Sequence, residues 1–482
     1  MDLSVWNFID NSLNRFQKCF SRKAAFNWFC LVVIAFIVRT DKLGVTSFIR
    51  ALSLDGAQYE CLIHFFRSTA WNLSSLRTCW CKIVSEIAPL YPLNGRPLFV
   101  CDGVKCSKEG RYMVGVKKHA QESQTQSKPQ MMHGHLWGNL SILIGSNDKL
   151  ACLPLSTRIH DGIQAMADWE GVDVSAESHI VQIMKNACEA VEVFRKNVYL
   201  LADRYFLTVP ALQVLNAFCD VSGFKIDLIT KAKKNIVAYE EPKKPPGKRR
   251  GRPTLKGARV KLNDYFEEKS DQFIKTTAFM YGKMTEVEYY KVDLLWGQGL
   301  YQKLRFVLIK YDNGTPGILV STDLNLEPLQ IIEAYAKRFR CESLYRELKQ
   351  ILSAFNYHFW TKSMPKLNHF RKKTDPDPLR FITDPKDRQK IINAFRATEM
   401  YMFASNVAMG LIMMVSIKFE IDPSELRYQR TPAKAKPSEA NVSIYLRKLL
   451  FRGLITEPPN HITDLIHKHT CRCDLPDYQN MA

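Results

Sequence analysis

The sequence predicts a mixed α/β layer fold, interrupted by a β-rich insertion and flanked by helical segments at both ends. Three observations predict it. Short apolar runs of strand length recur from Arg96 onward, first in succession and later alternating with helical patterns. A stretch rich in lysine, arginine, proline and glycine around residue 250 breaks that pattern, and short strands resume after it. Residues 1–95 and 398–482 instead carry helical periodicity. The chain therefore divides into a helical 1–95, a first α/β part 96–231, a basic linker with β-rich insertion 232–318, a second α/β part 319–397 and a helical 398–482.

The bulk numbers narrow the function classes. A chain of 482 residues with 46% hydrophobic and 24% charged residues is globular and long enough for a large core. A net charge of +20, with pI near 9.3, calls for a polyanionic partner: nucleic acid or an acidic membrane surface. Thirteen scattered cysteines suit a reducing compartment. His467, His469, Cys471 and Cys473 are nearly contiguous, unlike the separated pairs of structural zinc sites, so the tail reads as polar chain. Phe26–Val38 starts late for a signal peptide and has no small-residue cleavage site. Met400–Ile417 carries no charge but contains Ser405, Asn406, Gly410 and Ser416, and reads as a core or dimer helix; no membrane partner is expected.

Each element follows in order. Val45–Ser68 reads as two helices around a turn at Ser53–Gly56, which fits a DNA-binding helix-turn-helix and a plain helical bundle equally. Pro97–Lys105 is a buried strand carrying an acid, and Tyr112–His119, Asn139–Gly145 and Leu150–Thr157 follow as strands. Residues 178–194 are helical, Asn197–Phe206 is a strand ending in an acid, Val209–Ser222 is a helix closed by Gly223, and Phe224–Thr230 is a strand. Residues 242–259 then bring eight basic residues and no acid. Thr277–Met284, Glu286–Trp296 and Leu304–Asp312 read as strands, with a turn at Asn313–Gly314.

Asp102 and Asp203 each fall where an apolar strand runs out. Side by side, the two strands would put both carboxylates on one rim, within reach of a hard cation such as Mg²⁺. Either aspartate alone is ordinary turn chemistry. On a helix through Ile332–Gln350, the side chains of Tyr335, Arg338, Glu342 and Lys349 share an arc of about 60°. A solvated face with i,i+4 ion pairs would give the same spacing. The combination with two strand-end aspartates in a strongly basic chain favours a reaction centre, in which three carboxylates hold metal and neighbouring cations hold DNA phosphates.

The pattern Tyr335-x2-Arg338-x3-Glu342-x6-Lys349 resembles the Y-R-E-K signature of bacterial insertion-sequence transposases of the DDE class. Phe99–Gly110 and Leu200–Phe206 resemble that family's first-Asp and second-Asp strands. The resemblance implies an RNase H-like fold interrupted by a β-rich insertion between the second Asp and the Glu. It implies that Asp102, Asp203 and Glu342 are the catalytic triad for two Mg²⁺ ions, with Mn²⁺ able to substitute. It implies that Tyr335, Arg338 and Lys349 contact the terminal phosphates of transposon-end DNA. Double-stranded DNA, at the ends and at the target, a homodimer in the synaptic complex and a bacterial cytoplasmic setting come with it. Relatives place glycine two residues after the second Asp; here it is Tyr205. Relatives also stack a flipped base on an aromatic of the insertion, for which Trp296 is the candidate. Arg250-Gly251-Arg252-Pro253 resembles an AT-hook core, whose Arg250 and Arg252 would enter an A·T minor groove. The expected activity is hydrolysis at the transposon 3′ end and joining of the 3′-OH to target DNA. The alternatives are an RNase H-like nuclease without joining, and a repressor whose catalytic site has decayed.

Overall fold

The computed structural model describes residues 4–41, 44–121, 130–171, 178–243, 254–368, 370, 375–421, 437–456 and 461–470. Five helices open the chain: α1 (Ser4–Asn14), α2 (Lys23–Val38), α3 (Thr46–Ala51), α4 (Gln58–Arg67) and α5 (Leu73–Ile87). Helix α2 is apolar all round, which demands burial on every side. It is buried from Phe29 through Val38 and packs among α3, α4 and later helices. The α3–α4 pair forms around the expected turn, but Leu62, Phe65 and Phe66 of α4 face the core. Its exposed face, Tyr59, Glu60, Cys61, His64 and Arg67, carries no excess of positive charge.

Strands and helices then alternate: β1 (Pro92–Leu93), β2 (Arg96–Ser107), β3 (Lys117–Ala120), β4 (Met131–Gly145), β5 (Leu150–Ile159), α6 (Gln164–Trp169), α7 (His179–Phe194), β6 (Val198–Ala202), α8 (Val209–Ser222) and β7 (Ile226–Lys231). Gly223 closes α8 with φ +73°, the left-handed cap expected of it. The strand expected over Tyr112–His119 is shorter, because residues 111–115 turn and only Lys117–Ala120 pairs with β4. Next come β8 (Val237–Tyr239), β9 (Arg259–Lys261), α9 (Tyr265–Glu268), β10 (Ile274–Met280), β11 (Lys283–Trp296), β12 (Gln302–Tyr311) and β13 (Pro316–Ser321). Thr277–Met284 is thus a hairpin, not one strand. Met280 pairs with Lys283, and Tyr281 and Gly282 both have positive φ (+53° and +86°), as a two-residue primed turn requires.

Thirteen strands form one mixed, mostly antiparallel sheet. Its main path runs β3-β4-β2-β6-β7-β13-β12-β11-β8-β9, with β5 on β4, β1 on β2 and β10 on β11. Among the described residues only the β2–β6 and β6–β7 pairings are parallel. The strands of 232–318 continue this sheet through β13, which pairs antiparallel with β7. Arg96 ties one end of it together, donating to Asp227 at 2.6 Å and to the Val198 carbonyl at 2.7 Å, while Tyr199 donates to Asp323 at 2.8 Å.

The remaining helices are α10 (Pro328–Lys337), α11 (Arg340–Gln350), α12 (Pro385–Lys418), α13 (Glu439–Thr456) and α14 (His461–His469). Helix α12 is long and apolar enough to cross a membrane by length and composition, yet 94% of its apolar window is buried inside the chain. It packs on β5, α2, α4 and α13 and serves this chain's own core.

Candidate functional site

The parallel β2–β6 register sets Leu98 opposite Tyr199 and Val100 opposite Leu201. Continued two residues further, it brings Asp102 level with Asp203. Strand β6 stops at Ala202, however, while β2 runs on to Ser107 against β4, with Asp102 opposite Asn139. Asp102 therefore lies inside its strand rather than at its end, because β4 keeps β2 extended after β6 has left. The acid occupies the notch where two parallel strands part. Asp203 follows directly, its carbonyl accepting the Thr230 hydroxyl of β7 at 2.9 Å.

Side chains alternate along a strand, so Asp102 and Gly103 address opposite faces. On the Asp102 face lies α11, marked by the Asn139 amide 3.9 Å from the Cys341 sulfur. On the other face, His179 of α7 lies so close that a Cβ on Gly103 would come 2.7 Å from its Nε2. Gly138, paired with Gly103, meets His160 in the same way at 2.1 Å. Two facing glycines thus admit two imidazoles, whose Nδ1 atoms stand 3.1 Å apart.

The signature helix is two helices. Between α10 and α11, the N–H groups of Arg338, Cys341 and Glu342 donate to the carbonyls of Tyr335, Arg338 and Phe339 at 3.0, 2.9 and 3.1 Å. These i→i−3 bonds tighten the chain into a 3₁₀ turn at Arg338–Phe339. From that turn the Arg338 guanidinium reaches Asp102 at 3.3 Å and Glu342 at 3.1 Å. One cation therefore bridges the acid on β2 and the acid on α11.

The electrostatics of the three acids are coupled. Burial pushes the Asp102 carboxyl up to about 6; Arg338 and the Gly103 N–H pull the other way, and the charges of Asp203 and Glu342 add to the rise. Burial disfavours the charge on Arg338, but Tyr335, Asp102 and Asp203 outweigh it and hold its proton more tightly than usual. Tyr335 is pushed up to about 12, mainly by burial. Among the described residues no group of three His, Cys, Asp or Glu side chains stands ready to hold a metal ion. Arg338 instead pairs with two of the carboxylates, those of Asp102 and Glu342. The donor types, all oxygen and anionic, are of the kind a hard divalent cation takes.

A cleft of about 730 Å³ opens beside Asp203, lined also by Arg204, Tyr205, Lys231, Lys283, Tyr335 and Arg338. Tyr205 forms part of this wall and accepts from Arg204 at 3.1 Å. At the cleft mouth Tyr281, 66% exposed, meets the edge of Phe339, 50% exposed. Lys231, Lys283, Tyr281 and Phe339 were not singled out from the sequence; a lysine closing an apolar strand and a Tyr-Gly turn were the readable marks.

Other expected residues lie elsewhere. Lys349 is exposed near the end of α11, seven residues or about 10 Å of helix from Glu342, with its ammonium 5.7 Å from the Phe355 ring. Trp296 ends β11 opposite Gln302, whereas the cleft lies at the Lys283 end of that strand, roughly 40 Å away along it. The fold therefore does not bring Trp296 to the acids. Arg250 and Arg252 lie outside the described residues, as do Cys471 and Cys473, while His469 packs on Trp28 at 5.1 Å.

No protein-family model matches the chain, and no curated protein matches it either. A solved piggyBac transposase synaptic complex with hairpin DNA is similar over 95% of this chain and 78% of that one, at 12% identity and a TM-score of 0.34, a likeness too faint to fix fold or function.

Proposed function

We propose that the chain is a DDE-type DNA transposase with an RNase H-like catalytic core. The observation that supports this reading is the bridge from Arg338 to Asp102 and Glu342, with Asp203 following β6 level with Asp102 in the β2–β6 register. The core order β5-β4-β2-β6-β7, three antiparallel strands followed by two parallel ones, agrees with it.

In this reading Asp102, Asp203 and Glu342 would hold two Mg²⁺ ions, which when bound supply an activated water and counter-charge for the departing 3′ oxygen. Arg338 is a stand-in cation in the DNA-free chain. It keeps the like charges of Asp102 and Glu342 together until a phosphate group arrives, then turns its fork toward that phosphate. Tyr335 beside it gives the phosphate a hydroxyl donor that burial keeps protonated. Lys349 fixes the DNA backbone further along α11 as a point charge. The same site would present a freed 3′-OH to target DNA, and no covalent protein–DNA bond is needed. A homodimer on paired ends completes the proposal.

Asp102→Ala, Asp203→Ala and Glu342→Ala should each abolish Mg²⁺-dependent cleavage of the element's end DNA while leaving its binding in place. Full cleavage by any one of them defeats the assignment. Pre-cut ends that fail to join target DNA would reduce the protein to a nuclease.

A further inference from the structure

A second surface, outside the carboxylate cleft, carries its own chemistry. After α11 the chain runs extended through Phe355–Trp360 with strict alternation. Phe355, Tyr357 and Phe359 are buried, and Asn356, His358 and Trp360 face outward. The inner aromatics meet the needs of the core, so Trp360, 50% exposed, is surplus to packing. It lines a groove of about 570 Å³ together with Tyr112, 40% exposed, and with Arg111, Met113, His358 and Lys362.

The groove is built rigidly. The Thr361 N–H donates to the Tyr112 carbonyl at 3.3 Å and the Leu367 N–H to the Arg111 carbonyl at 2.8 Å. Lys108 donates to the Phe355 and Tyr357 carbonyls at 2.5 and 3.0 Å, fixing the inner side. Both walls are extensions of the candidate site: residues 108–113 follow the strand of Asp102, and residues 355–362 follow the helix of Glu342.

We infer that this groove holds an unpaired nucleobase of a bound DNA strand, stacked on Trp360 and Tyr112 with Arg111 and Lys362 on its phosphates. The inference rests on the DNA-processing reading above and adds a subsite to it. Flat apolar walls with a cationic rim are what single-strand sites offer: a π-face for the base and a point charge for the backbone. A purely apolar partner would leave the rim cations unmatched, and a duplex keeps its bases inside. From Glu342, about 10 Å of helix leads to Lys349, and about 17 Å of extended chain leads from Phe355 to Trp360. With up to about 20 Å more for Lys349–Phe355 between them, and at 3.4 Å per nucleotide, the stacked base lies at most about fourteen nucleotides from the reacting phosphate.

The test uses the full chain with two probes of equal length, a single-stranded oligonucleotide and its duplex, at 0.15 M salt. Trp360→Ala should weaken single-strand binding by about fivefold or more. Duplex affinity should stay within about twofold, and Trp360→Phe should restore single-strand binding. A 2-aminopurine base in the single-stranded probe should lose fluorescence on wild type and recover it on Trp360→Ala. Equal single-strand affinity for wild type and Trp360→Ala, with Arg111→Glu alone weakening it, would overturn the subsite and leave the transposase reading standing. A wild-type chain that binds neither probe would overturn both. Trp360 is half-exposed, so an unchanged urea midpoint of the variant checks that the fold is intact.

Discussion

Replacing Asp102 by asparagine should make the metal-free protein more stable at neutral pH. The carboxyl is raised from its ordinary 3.8 to about 6, first by burial, with Arg338 opposing and Asp203 and Glu342 adding. A group whose pKa rises on folding contributes stability that is fully present below its unfolded value and is lost as pH climbs through the folded value. At about 1.4 kcal/mol per tenfold change in proton affinity, the ionised form costs the folded chain about 3 kcal/mol. The side chain keeps 23% of its exposure, so water screening reduces that to about 2 kcal/mol. Urea unfolding in EDTA at pH 4.5, 6 and 7.5 reads it out. The difference in favour of Asp102→Asn should be about 1 kcal/mol at pH 4.5 and grow to about 2 kcal/mol at pH 7.5. Titrating groups remote from Asp102 cancel in that difference. A variant less stable than wild type at pH 7.5, or a gap that does not change with pH, would refute the argument that the acids are crowded against a buried wall.

Arg338→Ala leaves Asp102 and Glu342 without their shared cation and should destabilise by about 3 kcal/mol at pH 7.5. Millimolar Mg²⁺ should restore more stability to it than it adds to wild type, as measured by urea midpoints. Gly138→Ala drives a methyl into His160 and should cost about 2 kcal/mol, with most of that loss relieved in the Gly138→Ala/His160→Ala double variant. Lys349→Ala should weaken duplex binding alike on all sequences and lower the slope of log affinity against log salt by about one, in a fluorescence-anisotropy titration.

Much of the sheet was legible because its central strands carry unmixed apolar runs. Leu98–Cys101 and Val198–Ala202 have no polar residue to blur them, and both are buried on both faces. The acids after those runs were legible for the same reason. The break at Arg338–Phe339 was not, since every residue there is compatible with helix and only the pull of Asp102 and Glu342 on one guanidinium accounts for its place. The Tyr281–Gly282 hairpin escaped because its turn lacks the Asn-Gly or Asp-Gly mark and the apolar run crosses it. The distance of Trp296 from the cleft was not legible because strand direction, which decides the end of a hairpin nearest the cleft, is a tertiary fact. The alternation in Phe355–Trp360 was written in the sequence, but its meaning needed the opposite wall at Tyr112, more than 240 residues earlier.

Manganese binding, followed by paramagnetic resonance in the presence of end DNA, addresses the central claim most directly. Wild type should bind two ions per chain at millimolar or lower concentration, and Asp102→Asn, Asp203→Asn and Glu342→Gln should each lose at least one. Two ions retained at unchanged affinity in any of the three would contradict the shared site.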